Sequence, residues 1–284
     1  MIYGGLKPLP PDNRDFKFGN IFGAVPLKEL PDSFVYPVIK IEDQKNTDTC
    51  PAQASTSVRE DQEMVDLEPL FNFAMAKKLE GSIDGWGTDL RTISLTHTMY
   101  GALEKKYSVY DIDTPRSTFA NWINWNKSQS EKAKEHLAKS FAFIIPYAGM
   151  DLFDSIRMAI WTGRDKRQTV MTGALWREAW TYSTGILEPS SNINATPHAF
   201  KINGWKTING KVYLSLVLSN GTSIGDNGIF YMPREIANNE LIYGNVVFTD
   251  LPKKLAWTAN QMPFLSKLIL ALQKILKQYD TAKC

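Results

Sequence analysis

The order of elements along the 284-residue chain predicts an α+β protein, with a helical half followed by a sheet half. Helix-like segments fill residues 51–100, and strand-like segments rich in branched and aromatic residues fill 141–232. Asn209-Gly210 lies between two strand-like runs, a strong signal for a two-residue hairpin turn. Residues 1–40 are rich in Pro, Gly and Asp and read as an extended arm with turns. Cys50-Pro51 then opens a helix from Ala52 to about Val65, because a proline in a first helical turn lacks only an N–H that has no partner there. Leu67-Glu68-Pro69 begins a second helix through Leu79, Gly81 to Gly87 forms a loop, and a third helix runs from about Asp89 to Tyr100. Residues 115–140 are polar and helical. Phe141–Tyr147 suits a buried strand and Phe153–Trp161 a helix, and the strands that follow are Thr169–Trp176, Phe200–Trp205, Lys211–Leu218 and Gly228–Met232. A final helix, Phe264–Tyr279, carries apolar residues at 264, 265, 268, 269, 272, 275, 276 and 279, a wide face suited to packing or docking.

Composition excludes several classes. Hydrophobic residues make up 43% and charged residues 22%, so the chain can bury a core and is not disordered. A net charge of +2 is too small for a nucleic-acid partner. The opening MIYGGLKPLPPDNRDF lacks the apolar run of a signal peptide, and no segment has the roughly 20 apolar residues that span a bilayer. The expected location is therefore cytoplasmic.

Only Cys50 and Cys284 are cysteines, too few for a disulfide scaffold, and with three scattered histidines they cannot make a zinc site; no metal or cofactor is implied. A lone internal cysteine is an inert buried thiol or a nucleophile. Cys50 heads a helix, where the aligned peptide dipoles and free N–H groups favour a thiolate. Gln44, six residues upstream, carries an amide able to join the Cys50 N–H in holding an oxyanion; taken alone it reads as a solvated loop residue. Among the histidines, His136 lies in the charged stretch EKAKEHLAK and reads as solvated, and His97 in TISLTHTMY reads as a packing residue. His198 precedes the strand-like Ala199–Trp205, a rigid place for a catalytic imidazole.

Taken in order, these segments resemble the papain-like family of cysteine peptidases. DQKNTDTCPAQAS is similar to that family's nucleophile segment, with Gln44 six residues before Cys50. LEPLFNFA resembles the segment after its central helix, and GWGTDLRTISLTHTMYGAL the glycine loop and helix lining the substrate groove. AFIIPYAGMDLFDSIRMAIWTG, TPHAFKINGW and SNGTSIGDNGIFYMPRE resemble the approach to the sheet half, the histidine strand and the closing hairpin; GGLKPLPPDNRDF looks like the short leader of some members. The resemblance covers roughly residues 1–240. It implies an arm over 1–40, a two-subdomain peptidase domain over 41–250 (helical half about 41–140, antiparallel sheet or barrel half about 141–250) and a helical tail over 251–284. It also implies Cys50 as nucleophile, His198 as general base and acid, Gln44 in the oxyanion hole, and Gly85, Trp86 and Gly87 along the substrate groove.

Three departures qualify this. Pro51-Ala52-Gln53 follows the nucleophile where the family has Trp-Ala-Phe. No long propeptide precedes it, so at most the first 30 residues act as one. Leu218 stands where the family has the Asn that orients the histidine, and Asn220 stands at the shielding Trp. Leucine cannot accept the imidazole N–H, and Asn220 shares the strand parity of Leu218, so substitution by Asn220 requires a displacement or a bulge. Two readings follow. One is an active peptidase acting on a peptide or protein substrate through a Cys-His pair. The other is a catalytically impaired structural or assembly protein, docking through 264–279; resemblance to short-leader phage-encoded members points to a virion component. A cleft filled by the N-terminal arm or by another chain would favour the assembly role or a zymogen.

Overall fold

The computed structural model describes residues 3–23, 26–191, 194–242 and 244–249. The C-terminal amphipathic segment 264–279 and Cys284 lie outside the described residues.

A short helix α1 (Phe18–Phe22) and a two-residue strand β1 (Phe34–Val35) precede the helical half. That half is built on α2 (Cys50–Glu63), α3 (Pro69–Glu80) and α4 (Leu90–Met99). Each helix begins and ends as its sequence dictates. Pro51 and Pro69 sit in first turns, the Glu68 carboxylate accepts from Leu70 N, and Asp89 accepts from both Arg91 N and Thr92 N. Gly81, at φ +73, closes α3 in the left-handed conformation.

Residues 115–140 differ from the expected polar helix. Two short helices, α5 (Arg116–Phe119) and α6 (Lys127–Ala133), are joined and followed by 3₁₀ turns. Phe119 and Trp125 explain the breaks, since both are buried against Phe73 and Phe71 of α3 and pull the segment onto the helical core.

The sheet half contributes β2 (Ser140–Ile144), α7 (Leu152–Thr162), β3 (Val170–Arg177), α8 (Glu178–Thr181), β4 (Ala195–Ile208), β5 (Lys211–Val217), β6 (Ile229–Pro233), α9 (Arg234–Glu240) and β7 (Asn245–Thr249). All pairings among these strands are antiparallel, in the order β2-β7-β3-β4-β5-β6, with β1 added beside β4. Asn209 (φ +51) and Gly210 (φ +76) form the β4–β5 turn, as the dipeptide predicts.

Two apolar cores result. One lies on the face of the sheet covered by α1, α7 and α9, and the other joins α2, α3 and α4 to Phe143, Met171, Ala199, Val246 and Phe248. The second core sets α2 along β4. A buried ion pair fixes the register between them: Lys201 Nζ lies 2.9 Å from Asp61 Oδ2, and Thr169 Oγ1 donates to the same oxygen at 2.8 Å. Removing one partner of such a pair would strand a buried charge, so it acts as a registration point. The consequence is that the first residue of α2 meets β4 next to His198.

Candidate active site

Cys50 is the first residue of α2 and is fully buried. Its Sγ accepts hydrogen bonds from Ala199 N at 3.4 Å and Gly5 N at 3.1 Å. Burial pushes the thiol up to about 12; the two amides oppose this, and the Asp48 carboxylate adds to it.

His198 lies on β4 opposite Ala174 of β3, with its ring edge-on to Trp176 at 6.3 Å. It too is fully buried, and neither ring nitrogen has an aligned hydrogen bond. Burial lowers it to about 4, while the nearby Tyr3 backbone and Asn220 side chain pull the other way. With the cleft closed, thiol and imidazole are therefore both neutral.

Gln44 is buried rather than solvated, and its amide is held at both ends. Oε1 accepts from Ser219 Oγ at 2.6 Å, and Nε2 donates to Thr47 O at 2.8 Å and Tyr3 O at 2.9 Å. One of its two N–H groups thus points at the Tyr3 carbonyl.

What fills the cleft is the chain's own N-terminal arm. Residues 3–7 run between the two walls. Gly5 O accepts from Thr88 N at 2.8 Å, and Lys7 N donates to Thr88 O at 3.0 Å, a parallel bridge to the helical half. Trp86 Nε1 donates to Gly4 O at 2.8 Å. On the sheet side Leu6 N donates to Pro197 O at 3.4 Å. A Cβ at Gly5 would fall 1.9 Å from Asp48 O, and one at Gly87 1.8 Å from Gly5 O, so both glycines permit the backbones to approach. The Leu6 side chain rests on Gly173, where an added Cβ would lie 2.3 Å from Leu6 Cδ2. Further along, the arm is anchored by the Asp15–Arg91 ion pair at 2.7 Å and by Phe143 N donating to Phe16 O at 2.6 Å.

A sequence profile described as papain family cysteine protease matches residues 32–249. The chain belongs to that family. Several solved papain-family structures share its fold. Xylellain, a cysteine protease from Xylella fastidiosa, is 15% identical with a TM-score of 0.72, covering 87% of this chain and 96% of its own. Digestive procathepsin L2 from the larval midgut of Tenebrio molitor is 17% identical with a TM-score of 0.65, covering 86% and 77%. Bromelain from Ananas comosus, in complex with the inhibitor E64, is 15% identical with a TM-score of 0.58, covering 77% and 98%. No curated protein matches the sequence significantly. At these identities the likeness is one of fold.

Two positions near His198 bear on the family pattern. Leu218 is buried in the sheet core. Asn220 comes near His198, as a two-residue displacement along the chain allows; it also bridges Asp43 and is followed by Gly221 at φ +71. His97 is a packing residue, as expected, with Nε2 3.0 Å from Ser55 Oγ and its ring against Phe248. His136 is not solvated: it is largely buried between Glu63 and Glu104, at 3.5 and 3.6 Å. The sequence analysis allows for an arm in the cleft but not for the course of residues 3–7, and it misses the pair Asp48–Arg116. The Gly4-Gly5 dipeptide was the available signal for the first; the second joins residues 68 apart in sequence and left none. Among the described residues no helix is long and apolar enough to cross a membrane.

Proposed function

We propose that this chain is a cysteine peptidase that hydrolyses peptide bonds through Cys50 and His198, with Gln44 in the oxyanion hole, and that residues 3–7 hold it latent. One observation carries the reading: the three side chains converge on a single short stretch of polypeptide. Gln44 Nε2 meets Tyr3 O, Cys50 Sγ meets Gly5 N, and His198 lies against the Tyr3 backbone. A site able to grip an extended backbone in this way suits a peptide substrate.

In the open state His198 takes the Cys50 proton, and the thiolate at the helix N-terminus attacks the scissile carbonyl carbon. The oxyanion is met by Gln44 Nε2 and the Cys50 N–H. As the tetrahedral intermediate collapses, His198 returns its proton to the leaving amine. A water, deprotonated by His198, then cleaves the thioester and frees Cys50. Gly85, Trp86 and Gly87 line the groove, where the Trp86 indole and the Thr88 backbone offer the bonds that Gly4, Gly5 and Lys7 now occupy. The arm contacts the sulfur through an amide N–H. It therefore acts as a plug rather than as a substrate.

The unpaired ring of His198 and the leucine at 218 favour a second reading, an impaired scaffold that docks through 264–279, as in a virion component. Intact-mass labelling with an epoxysuccinyl inactivator of the E64 type separates the two. The expected result on protein lacking residues 1–8 is a stoichiometric adduct, absent from Cys50→Ala and strongly slowed in His198→Ala. Labelling that is slow and indifferent to His198 overturns the peptidase reading.

A further inference from the structure

The helical wall of the cleft contains a network that neither catalysis nor substrate binding, as proposed above, uses directly. Asp48, two residues before the nucleophile, is fully buried. Its two oxygens receive a paired contact from Arg116, Nε to Oδ1 and Nη2 to Oδ2, both at 2.8 Å. Oδ2 also accepts from the backbone N of Gly87 at 2.5 Å. Arg116 does not stop there. Its Nη2 donates to Gly85 O and its Nη1 to Ile83 O, each at 2.8 Å, and its guanidinium lies over the Phe73 ring at 5.5 Å. From beneath, the buried Lys77 Nζ donates to Gly85 O at 2.7 Å and to Gly87 O, and is balanced by Glu80 at 2.8 Å.

The loop Gly85–Gly87 is thus suspended from two cations and one carboxylate. A glycine-rich loop has little intrinsic preference for one shape, so its conformation is set by what holds it. The planar guanidinium is the one side chain able to bind a carboxylate through a paired contact and still present N–H groups to two carbonyls.

We infer that Arg116 is a positioning residue for the substrate groove: it locks the Gly85–Gly87 wall to Asp48, and through Asp48 to the start of the Cys50 helix. The polar segment 115–140, which has no other role in the site, is packed on α3 by Phe119 and Trp125 so that Arg116 enters the wall. This inference rests on the peptidase reading for its kinetic consequences but not for its structural one.

The test uses Arg116→Lys and Arg116→Gln in protein lacking residues 1–8, with the full-length protein as a second background. Three readouts are taken: KM and kcat on a peptide substrate, the iodoacetamide alkylation rate of Cys50, and hydrogen exchange at the Gly87 and Thr88 amides. The expectation is a KM increase of about 10-fold in Arg116→Gln with kcat and alkylation nearly unchanged, as for the loss of uniform binding. Arg116→Lys should recover part of it, keeping the charge but losing the fork. Exchange at Gly87 and Thr88 should quicken in both backgrounds, with the rest of α3 protected. The inference is overturned if wall exchange is unchanged in Arg116→Gln, or if KM holds while kcat falls in step with the unfolded fraction. Should no background turn over peptide while wall exchange still responds to Arg116, the peptidase reading fails and the positioning role stands.

Discussion

On the helical side of the cleft, Cys50 stands in a frame of fixed charges and hydrogen bonds: Asp48, Arg116, Lys77 and the Gln44 amide held by Ser219. On the sheet side, His198 is placed by burial and by the face of Trp176, with no aligned hydrogen bond to either nitrogen. The difference follows from what each wall must hold. In the proposed reaction the helical wall has to receive an oxyanion at Gln44, which depends on a donor whose direction is fixed beforehand, whereas Asp48, Arg116 and Lys77 hold the groove loop. An imidazole that only shuttles a proton tolerates orientation by packing, at some cost in rate, because a thiol is a strong enough nucleophile to work with a less perfectly directed base.

The largest effect expected from this contrast is at Gln44. In protein lacking residues 1–8, Gln44→Ala should lower kcat about 10²- to 10³-fold with little change in KM, the usual loss for one oxyanion donor. Steady-state kinetics on a peptide substrate reads this directly. A loss under about 10-fold would mean that the helical wall is not the source of charge stabilisation.

How much of this was legible beforehand differs between the walls. Cys50, His198 and Gln44, the proposed catalytic set, are named from local signals: a helix start, a strand start and family spacing. The helical half was read correctly at Pro51, Pro69 and Asp89 because caps and first-turn prolines are encoded within a few residues. Residues 115–140 were misread because their polar exterior hides Phe119 and Trp125, whose partners lie on α3. Asn220 could be named as a substitute reached by a two-residue displacement, and its side chain lies near His198. Arg116 and the course of residues 3–7 depend on contacts between distant segments, which periodicity and spacing do not carry.

The arm gives the second test. Closed, it buries both catalytic groups in their neutral forms, so removing residues 1–8 should speed alkylation of Cys50 by about 10- to 10³-fold, the range for an open state populated at 0.1–10%. The pH dependence of closure has a definite sign. Burial holds His198 at about 4 in the closed form, below the ordinary histidine range, so an open form that rehydrates the imidazole binds more protons as pH drops and closure weakens down to about 4. Burial pushes Cys50 up to about 12 in the closed form, so opening that rehydrates the thiol favours its ionisation and closure weakens again as pH rises. The arm should hold tightest between these limits. Reaction with a pyridyl disulfide, which remains reactive in acid, should show full-length protein approaching the truncated rate as pH is lowered from 7 to 4.5. A constant ratio across that range would mean that the arm does not bury His198 in solution.

The smallest effects concern the pair at 218 and 220, and they bear on how the weakly held wall works. If Leu218 is a core residue, Leu218→Asn places an amide among apolar neighbours and should cost about 1–3 kcal/mol, seen as a lower Tm, with no gain in kcat. Asn220→Ala removes the side chain that holds the His198 pKa up, so the acid limb of kcat/KM should move to lower pH, with a loss of about 3- to 10-fold in kcat for a less well directed base. The opposite pattern would be decisive: a faster, stable Leu218→Asn beside an unchanged Asn220→Ala would place the orienting position at 218. The sheet wall would then be a site that has lost its director, not one that has moved it by two residues.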